Sequence, residues 1–227
     1  MPILAPTVNA TDPADYARRI GNFKGEAKRL HIDVGDGVFT DVRTVGLSQV
    51  YDIDGVPFDL HLMMNHPEGH FENICALMPQ LVIVHFEAPC ARAEFFKDLR
   101  RVDIKVGLAI NTETTIDQAA SVLQDINHLV VFTGQLGHNG GEFRADCLEK
   151  IAQARAINPN LEIAVDGGLN QTTARLAIEA GADVLDVGSF IHDAKDPEIA
   201  FVAMEAIAEQ ARIGDNHSLQ KKLNEAQ

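Results

Sequence analysis

Short apolar runs rich in β-branched residues recur along the chain, and segments with apolar residues at helical spacing lie between them. Runs of this kind predict buried strands, and the intervening segments predict amphipathic helices. Each interval between successive runs has room for one strand, one helix and two loops. The predicted strands are Ile3–Val8, Leu30–Val34, Val56–Met63, Leu81–His85, Lys105–Ile110, His128–Phe132, Leu161–Val165 and Val184–Val187.

Helix boundaries can be placed in several of these intervals. Asp12 is a suitable N-cap for the first helix, and Gly181 stands where a helix C-terminus favours glycine. The predicted helices are Pro13–Ile20, Ile116–Leu123, Asp146–Ala156 and Thr172–Ala180. Strand and helix therefore alternate along most of the chain.

This alternation predicts an α/β fold. Strands that are apolar throughout are typical of a parallel sheet buried on both faces. Eight of them predict a single closed (β/α)8 TIM barrel; the alternative is an open doubly wound sheet, which usually has fewer strands. A chain of 227 residues suits one such domain. We predict a catalytic barrel over residues 1–211 and a polar helix or tail over residues 212–227.

Composition narrows the classes of function. The formal net charge of −14 and the pI near 4.9 argue against a nucleic-acid partner, which requires a basic face. No apolar run approaches the length of a membrane span, and the first residues lack the features of a signal peptide. Three scattered cysteines indicate reduced thiols and a cytoplasmic protein.

Unusual polar residues collect at the ends of the predicted strands, where the active sites of such barrels lie. Residues two apart on a strand share a face, so His31 and Asp33 point the same way. Together with His61 and Asp166, they could satisfy one another around a divalent cation: zinc, or alternatively manganese, iron or cobalt. Taken singly, each histidine could also be a hydrogen-bonded core residue.

Glycines follow the last three predicted strands. Gly167 and Gly168 come after strand seven, Gly188 and Ser189 after strand eight, and a glycine-rich loop spans residues 134–141. Glycine lets a ligand approach the backbone, and the loops after strands seven and eight are the common phosphate site in these barrels. The alternative is that each glycine pair forms a tight turn. Three such loops at one rim favour a phosphorylated ligand.

With these residues in view, the chain resembles the ribulose-phosphate 3-epimerase family, whose barrel is of the ribulose-phosphate-binding type. The segments that carry the resemblance are APTVNATD (5–12), LHIDVGDGVF (30–39), FDLHLMM (58–64), VIVHFEA (82–88), KVGLAINTET (105–114), VDGGLN (165–170) and GADVLDVGSFI (181–191). They follow the order and spacing of the family. The resemblance also implies a homo-oligomer.

The resemblance implies a role for each matching residue. His31, Asp33, His61 and Asp166 would bind one divalent metal ion, and Asp33 and Asp166 would also act as acid and base. Thr7 would contact the substrate. Of the family's apolar residues around the sugar, Met63 is kept. His138, in the altered loop, is a further candidate for contact with the substrate. Residues that would bind the phosphate are Gly140, Gly141, Gly168, Gly188 and Ser189.

Departures from the family cluster around the same site. Gly35 and Phe132 replace usual methionines, and Asp186 replaces an apolar residue on strand eight. The loop 136–141 lacks the usual proline and glutamine. The metal set is therefore intact while the surrounding pocket differs, which leaves the identity of the sugar open. For Asp186, a substrate contact and a salt-bridged barrel residue are both open.

The predicted function is epimerisation at C3 of a ketose phosphate, D-ribulose 5-phosphate to D-xylulose 5-phosphate or a close analogue, in the pentose phosphate pathway. The reaction would pass through an enediolate. The alternatives are a 3-epimerase for a six-carbon ketose phosphate and a non-catalytic sugar-phosphate-binding barrel. An aldolase or decarboxylase of the same barrel class is disfavoured, since strand two lacks the lysine of their Asp-x-Lys-x-x-Asp signature.

Other polar residues are candidates for supporting roles. Asp59, His85 and Glu87 could hydrogen-bond the ligand histidines, although a core hydrogen-bonding role is favoured for Asp59 and Glu87. The remaining histidines, apart from His138, are expected in loops or at the surface: His66, His70, His128, His192 and His217.

Overall fold

The computed structural model describes residues 2–23, 26–51, 55–136 and 142–210. These residues form eight β-strands that agree closely with the prediction. The strands are β1 Ile3–Val8, β2 Leu30–Gly35, β3 Phe58–Met63, β4 Leu81–His85, β5 Lys105–Ile110, β6 His128–Phe132, β7 Glu162–Asp166 and β8 Val184–Val187. Strand β3 begins at Phe58 rather than Val56, because Pro57 has no N–H to donate to a sheet ladder.

The eight strands pair in parallel in chain order, and the last pairs with the first. Closure occurs where Ile3 of β1 pairs with Val184 of β8. The sheet therefore has no free edge, which confirms the closed (β/α)8 barrel over the open doubly wound alternative. All carboxyl ends of the strands lie at one mouth of the ring.

Helices follow the strands around the outside. Their bounds are α1 Pro13–Gly21, α2 Phe71–Leu77, α3 Arg92–Arg101, α4 Ile116–Leu123, α5 Glu149–Ile157, α6 Gln171–Glu179 and α7 Ser189–His192, and residues 197–210 are also helical. The side chain of Asp12 caps α1 as predicted, accepting hydrogen bonds from the backbone N–H groups of Ala14 and Asp15. The helix predicted over Asp146–Ala156 begins with a 3₁₀ turn, Ala145–Leu148, before α5.

The core has two layers. The larger one packs the outer faces of the strands against the helices. A smaller apolar layer fills the barrel interior below the mouth and consists of Ala5, Leu81, Ile83, Ala109, Val130, Phe132, Ala164 and Val184. The three cysteines are free, as predicted. In the described part of the chain no helix is long and apolar enough to cross a membrane.

An ion-pair network closes the barrel at the amino ends of its strands. The guanidinium of Arg29 bonds Asp59 at 2.7 Å and both carboxylate oxygens of Glu162 at 3.0 and 2.9 Å. Gln80 also donates to Asp59, and Nδ1 of His128 lies 2.7 Å from Glu162. The favoured core role of Asp59 is therefore correct, since its bonds are made at the end of the barrel away from the mouth.

Two histidines expected in loops or at the surface are buried. His128 begins β6 within the Arg29 network, and His192 in α7 packs its ring edge against Phe23. The Nε2–H of His192 donates to the carbonyl oxygen of Thr7 at 2.8 Å. The expectation was wrong because a polar ring can be buried once a neighbouring group satisfies its N–H. The predicted tail over residues 212–227 lies outside the described residues.

Candidate active site

Strands β2 and β3 bring three polar side chains together inside the barrel mouth. Their register pairs Asp33 with His61, and His31 lies two residues before Asp33 on the same face. The Nδ1 atom of His61 is 2.9 Å from Oδ1 of Asp33 and 3.1 Å from Nε2 of His31. That His31 nitrogen is 3.2 Å from the same Asp33 oxygen. The three donor atoms therefore form a compact triangle of buried groups.

Asp166 approaches this triangle from the other side of the barrel. It is the last residue of β7, the strand opposite β3 in the ring of eight. One carboxylate oxygen of Asp166 and one ring nitrogen each of His31 and His61 all lie within 4.8 Å of one another. The two histidines are thus shared between two overlapping groups, one completed by Asp33 and one by Asp166.

The donor set suits a divalent cation. Imidazole nitrogens and carboxylate oxygens are ligands for zinc, and also for manganese, iron and cobalt. Neighbouring donors around a tetrahedral ion with bonds of about 2.1 Å stand about 3.4 Å apart. The triangle of His31, His61 and Asp33 is only slightly tighter than that. The residues present therefore fit the metal that the resemblance implies.

A second pair of side chains lies behind His61. Its Nε2 atom is 2.9 Å from Nε2 of His85, and Nδ1 of His85 is 3.3 Å from Oε2 of Glu87. Glu87 also accepts hydrogen bonds from the backbone of Asn111 and the hydroxyl of Thr114. The core hydrogen-bonding role favoured for Glu87 is therefore incomplete, since its carboxylate contacts the ring of His85, which in turn contacts the candidate ligand His61.

At each titratable group of the site, burial and the neighbouring groups of opposite charge act on the pKa in opposite directions. Burial would lower the pKa of His31, but the carboxylates of Asp186 and Asp33 outweigh it and raise that pKa to about 10. Burial would raise the pKa of Asp33, but hydrogen bonds from His31 and His61 hold it below its ordinary range. Burial raises the pKa of Asp166 well above its ordinary value, against the attraction of His31.

Aromatic rings bound the site on its apolar side. The ring of Phe132 lies 6.0 Å from His61 and 5.9 Å from His85. The ring of Phe39, from the loop after β2, lies 5.0 Å from His85. Met63 follows His61 by two residues, so it belongs to the same face and is buried at the end of β3. These apolar side chains line one side of the candidate metal ligands.

Gly35 allows the loop after β2 to fold against the strand. A Cβ at this position would lie 2.7 Å from the carbonyl oxygen of Val42. The hydroxyl of Thr44 also accepts a hydrogen bond from the Gly35 N–H at 2.8 Å. A methionine cannot fit here unless the loop moves. The departure from the family pattern at Gly35 is therefore coupled to the path of this loop.

Four of the predicted phosphate and substrate residues lie around the rim at the ends of β1, β7 and β8: Thr7, Gly168, Gly188 and Ser189. A Cβ on Gly188 would contact the side chain of Thr7 at 3.5 Å, so these two residues adjoin. Gly168 has φ +67° and follows Asp166 by two residues. No described residue hydrogen-bonds the buried hydroxyl of Thr7. Ser189 begins α7 directly after Gly188.

Some predicted contacts cannot be placed, and some neighbours of the site were not predicted. His138, Gly140 and Gly141 lie outside the described residues. Phe39 was not singled out, because its position depends on the loop path rather than on a strand pattern. Asp186 was left open between a substrate contact and a salt-bridged barrel residue, although a carboxylate in an apolar strand is a signal that could have placed it near the metal set.

Comparison with known proteins finds relatives along most of the chain. A ribulose-phosphate 3-epimerase of Schizosaccharomyces pombe (strain 972 / ATCC 24843) is 29% identical over 202 residues, covering 86% of this chain and 89% of the relative. The corresponding protein of Bacillus subtilis (strain 168) is 30% identical over 202 residues, covering 85% and 93%. These relatives are named as epimerases, and the prediction of an epimerase-like enzyme is confirmed.

Solved structures share the fold at lower identity. The 3-hexulose-6-phosphate synthase of Salmonella typhimurium aligns with a TM-score of 0.71 and 18% identity, covering 92% of this chain and 99% of the other. KGPDC from Streptococcus mutans aligns with a TM-score of 0.73 and 15% identity, covering 92% and 98%. These likenesses show the barrel alone. Residues 3–192 match the ribulose-phosphate 3 epimerase family across nearly all of the barrel, and the chain belongs to that family.

Proposed function

We propose that this protein interconverts D-ribulose 5-phosphate and D-xylulose 5-phosphate by inverting C3, with one divalent metal ion, zinc in the first instance, as cofactor. The observation that carries the proposal is the placement of Asp33 and Asp166. They come from β2 and β7 and approach the same two histidines from separate strands. Inversion needs one proton-transfer group on each face of the substrate, and two carboxylates across a shared site meet that need.

Asp33 and Asp166 would exchange the roles of acid and base with the direction of reaction. One carboxylate takes the proton from C3 as the C–H bond breaks, leaving an enediolate. The other carboxyl group gives a proton to the opposite face and forms the new C–H bond. No atom is gained or lost overall. Positioned acid–base catalysis of this kind contributes roughly 10²–10⁴-fold to rate.

The cofactor would be held by His31, His61, Asp33 and Asp166. When bound, it would supply positive charge that stabilises the enediolate. His61 can offer Nδ1 because its Nε2–H can donate to Nε2 of His85, whose Nδ1–H can donate to Glu87. This sequence of donors and acceptors leaves the Nδ1 lone pair of His61 available to the cofactor, whereas a protonated Nδ1 would donate to Oδ1 of Asp33, 2.9 Å away. Phe39 and Phe132 place apolar rings on that side of the site.

The phosphate would bind at the rim formed by Gly168, Gly188 and Ser189, with Gly140 and Gly141 as further proposed donors. This position supports the proposal because the loops after strands seven and eight are the usual phosphate site in such barrels. The unpartnered hydroxyl of Thr7 adjoins Gly188 and is available to a substrate hydroxyl. Met63 and His138 complete the proposed substrate contacts.

A six-carbon ketose phosphate is the second candidate substrate. Gly35 and Phe132 stand where the family usually has methionines, so the walls of the sugar pocket differ from the common pattern. A panel of ketose 5- and 6-phosphates separates these substrates. A barrel that binds sugar phosphates without catalysis would give no reaction with any of them, although it would still bind them.

The decisive experiment follows hydrogen exchange at C3 in deuterated water by NMR, with the zinc- or manganese-loaded protein and the panel of sugars. We expect C3 exchange and inversion with the wild type and loss of inversion in Asp33→Asn and Asp166→Asn. Asp117→Asn is the matched control, because Asp117 is an exposed acid on α4. Equal, background exchange in the wild type and both site variants on every sugar would rule out the epimerase.

A further inference from the structure

Asp186 is a buried carboxylate without a hydrogen bond. It lies on β8, where the register pairs it with Asp166 of β7 and Ala5 of β1. The side chain is fully buried, and neither oxygen has a hydrogen-bond partner among the described residues. A buried carboxylate that is left unsatisfied costs several kcal/mol, about 1–3 even by mutational measures of polar burial. Its presence on an apolar strand therefore requires an explanation.

The nearest polar atom is on a candidate metal ligand. Nδ1 of His31 lies 3.3 Å from Oδ2 of Asp186. This nitrogen also has no hydrogen bond from the described residues, because the two groups are close but not aligned. The other nitrogen of the ring, Nε2, faces Asp33 and His61. His31 thus stands between the candidate metal site on one side and Asp186 on the other.

We infer that Asp186 is a positioning residue for the metal site: it accepts the Nδ1–H of His31 and so directs the Nε2 lone pair toward the cation. The inference rests on the proposed function, because it requires that His31 is a ligand. Ligand histidines usually donate their second N–H to a carboxylate or carbonyl, which fixes the tautomer and the ring orientation. A small rotation of either side chain aligns the contact already present at 3.3 Å.

The neighbouring charges leave His31 as the partner of Asp186. Arg29 is engaged by Asp59 and Glu162, and His128 bonds Glu162 through its Nδ1 atom. Among the described residues Asp186 forms an ion pair with His31 and none with the network at the base of the barrel, although the charges of Arg29 and His128 also act on it. Its place beside His31 also parallels the Glu87–His85 pair behind His61. Each candidate ligand ring therefore has a carboxylate behind it: Asp186 contacts His31 directly, and Glu87 reaches His61 through the ring of His85.

The test measures zinc affinity by competition with a chelator in purified protein. We expect Asp186→Val to bind zinc about 10–100-fold more weakly than the wild type, since loss of such an outer carboxylate typically has that effect. Asp186→Asn keeps an oxygen acceptor and should lie between the two. Val184→Ala is the matched control, because Val184 lies on the same strand in the apolar layer inside the barrel and offers no polar atom to His31. It should lose stability but not zinc affinity.

A second measurement does not depend on how the variants fold. In ¹⁵N-histidine-labelled wild type loaded with zinc, His31 should be protonated at Nδ1 and free of a proton at Nε2. Unchanged zinc affinity in both Asp186 variants, or a His31 ring protonated at Nε2 in the loaded protein, would overturn the inference. The proposed function fails separately, by absence of zinc binding and C3 exchange in the wild type itself.

Discussion

The Nε2 atoms of His61 and His85 face each other at 2.9 Å. Two ring nitrogens at this distance need one proton between them, so one is a donor and the other an acceptor. Glu87 decides which, because its carboxylate accepts the Nδ1–H of His85 and leaves Nε2 of His85 as an acceptor. In the metal-loaded protein His61 would then donate from Nε2 and keep its Nδ1 lone pair for the metal.

Removing the charge of Glu87 should disturb this assignment of donor and acceptor to His61 and His85. In Glu87→Gln the new amide can donate to His85, so the His85 proton moves to Nε2 and opposes the proton of His61. We expect metal affinity to fall about 10–100-fold, the usual effect of disturbing a group behind a ligand. Chelator competition measures this, and Glu94→Gln on the exposed face of α3 is the control. Equal affinity in the two variants would refute the assignment of protons.

Arg29 should be essential to stability although it lies far from the mouth. Arg29→Met leaves the buried carboxylate of Asp59 without its ion pair, and loss of one partner of a buried pair costs about 3–5 kcal/mol. Urea unfolding followed by circular dichroism measures the loss. Arg101→Met is the control, because its pair with Asp98 is exposed and contributes less than about 1 kcal/mol. Equal losses in both variants would contradict the role given to the network.

His192 should make the fold sensitive to acid. Burial, aided by the charge of Arg19, lowers the pKa of His192 to about 4 from an ordinary value of 6.5. The fold therefore favours the neutral ring: its contribution is complete above pH 6.5 and is lost as pH falls through 6.5 toward 4. The shift corresponds to about 3 kcal/mol.

His192→Gln keeps a donor for the Thr7 carbonyl but does not titrate. Unfolding free energies measured in urea between pH 4 and 7, with about 0.1 M salt to limit long-range charge effects, should decline less steeply in this variant than in the wild type. His66→Gln serves as the control, since His66 is exposed and its removal should leave the slope unchanged. A wild-type slope retained in His192→Gln would contradict the prediction.

The loops after β6 and β7 should not tolerate a side chain at Gly167. Its φ is +101°, and a Cβ there would lie 2.5 Å from the backbone nitrogen of Gly134. Gly167→Ala must separate the two loops or strain them, which costs about 1–3 kcal/mol, and it should weaken binding of the sugar phosphate at the adjoining rim. Calorimetry and thermal unfolding test both effects. Gly69→Ala, with open space around it, is the control and should change neither.

The sequence predicted the ring of strands well because apolar runs in a parallel barrel are buried on both faces and stand out from their surroundings. The residues of the candidate metal set were also predictable, since i and i+2 positions of one strand share a face. Contacts across the barrel were harder. Asp186 and His31 lie two strands apart, and no local pattern records that their side chains meet.

Loops and buried histidines were the other sources of error. Phe39 approaches His85 only because the backbone after β2 folds over Gly35, and such a path depends on close contacts rather than on periodicity. His192 was expected in a loop or at the surface because a histidine near a strand end is often exposed. Its burial depends on one carbonyl acceptor, that of Thr7, supplied from the other end of the chain.

In the described residues the Arg29 network and the apolar layer above it fill the amino end and the interior of the barrel, so the candidate site faces the mouth. Under the proposed function, solvent isotope would enter by the same rim as the sugar. A bound ketose would block this rim, so a proton taken from C3 would exchange with bulk water only after the sugar dissociates. The filled amino end of the barrel lies far from the reacting carbon. It would nevertheless affect how much deuterium from the solvent enters the product in each turnover.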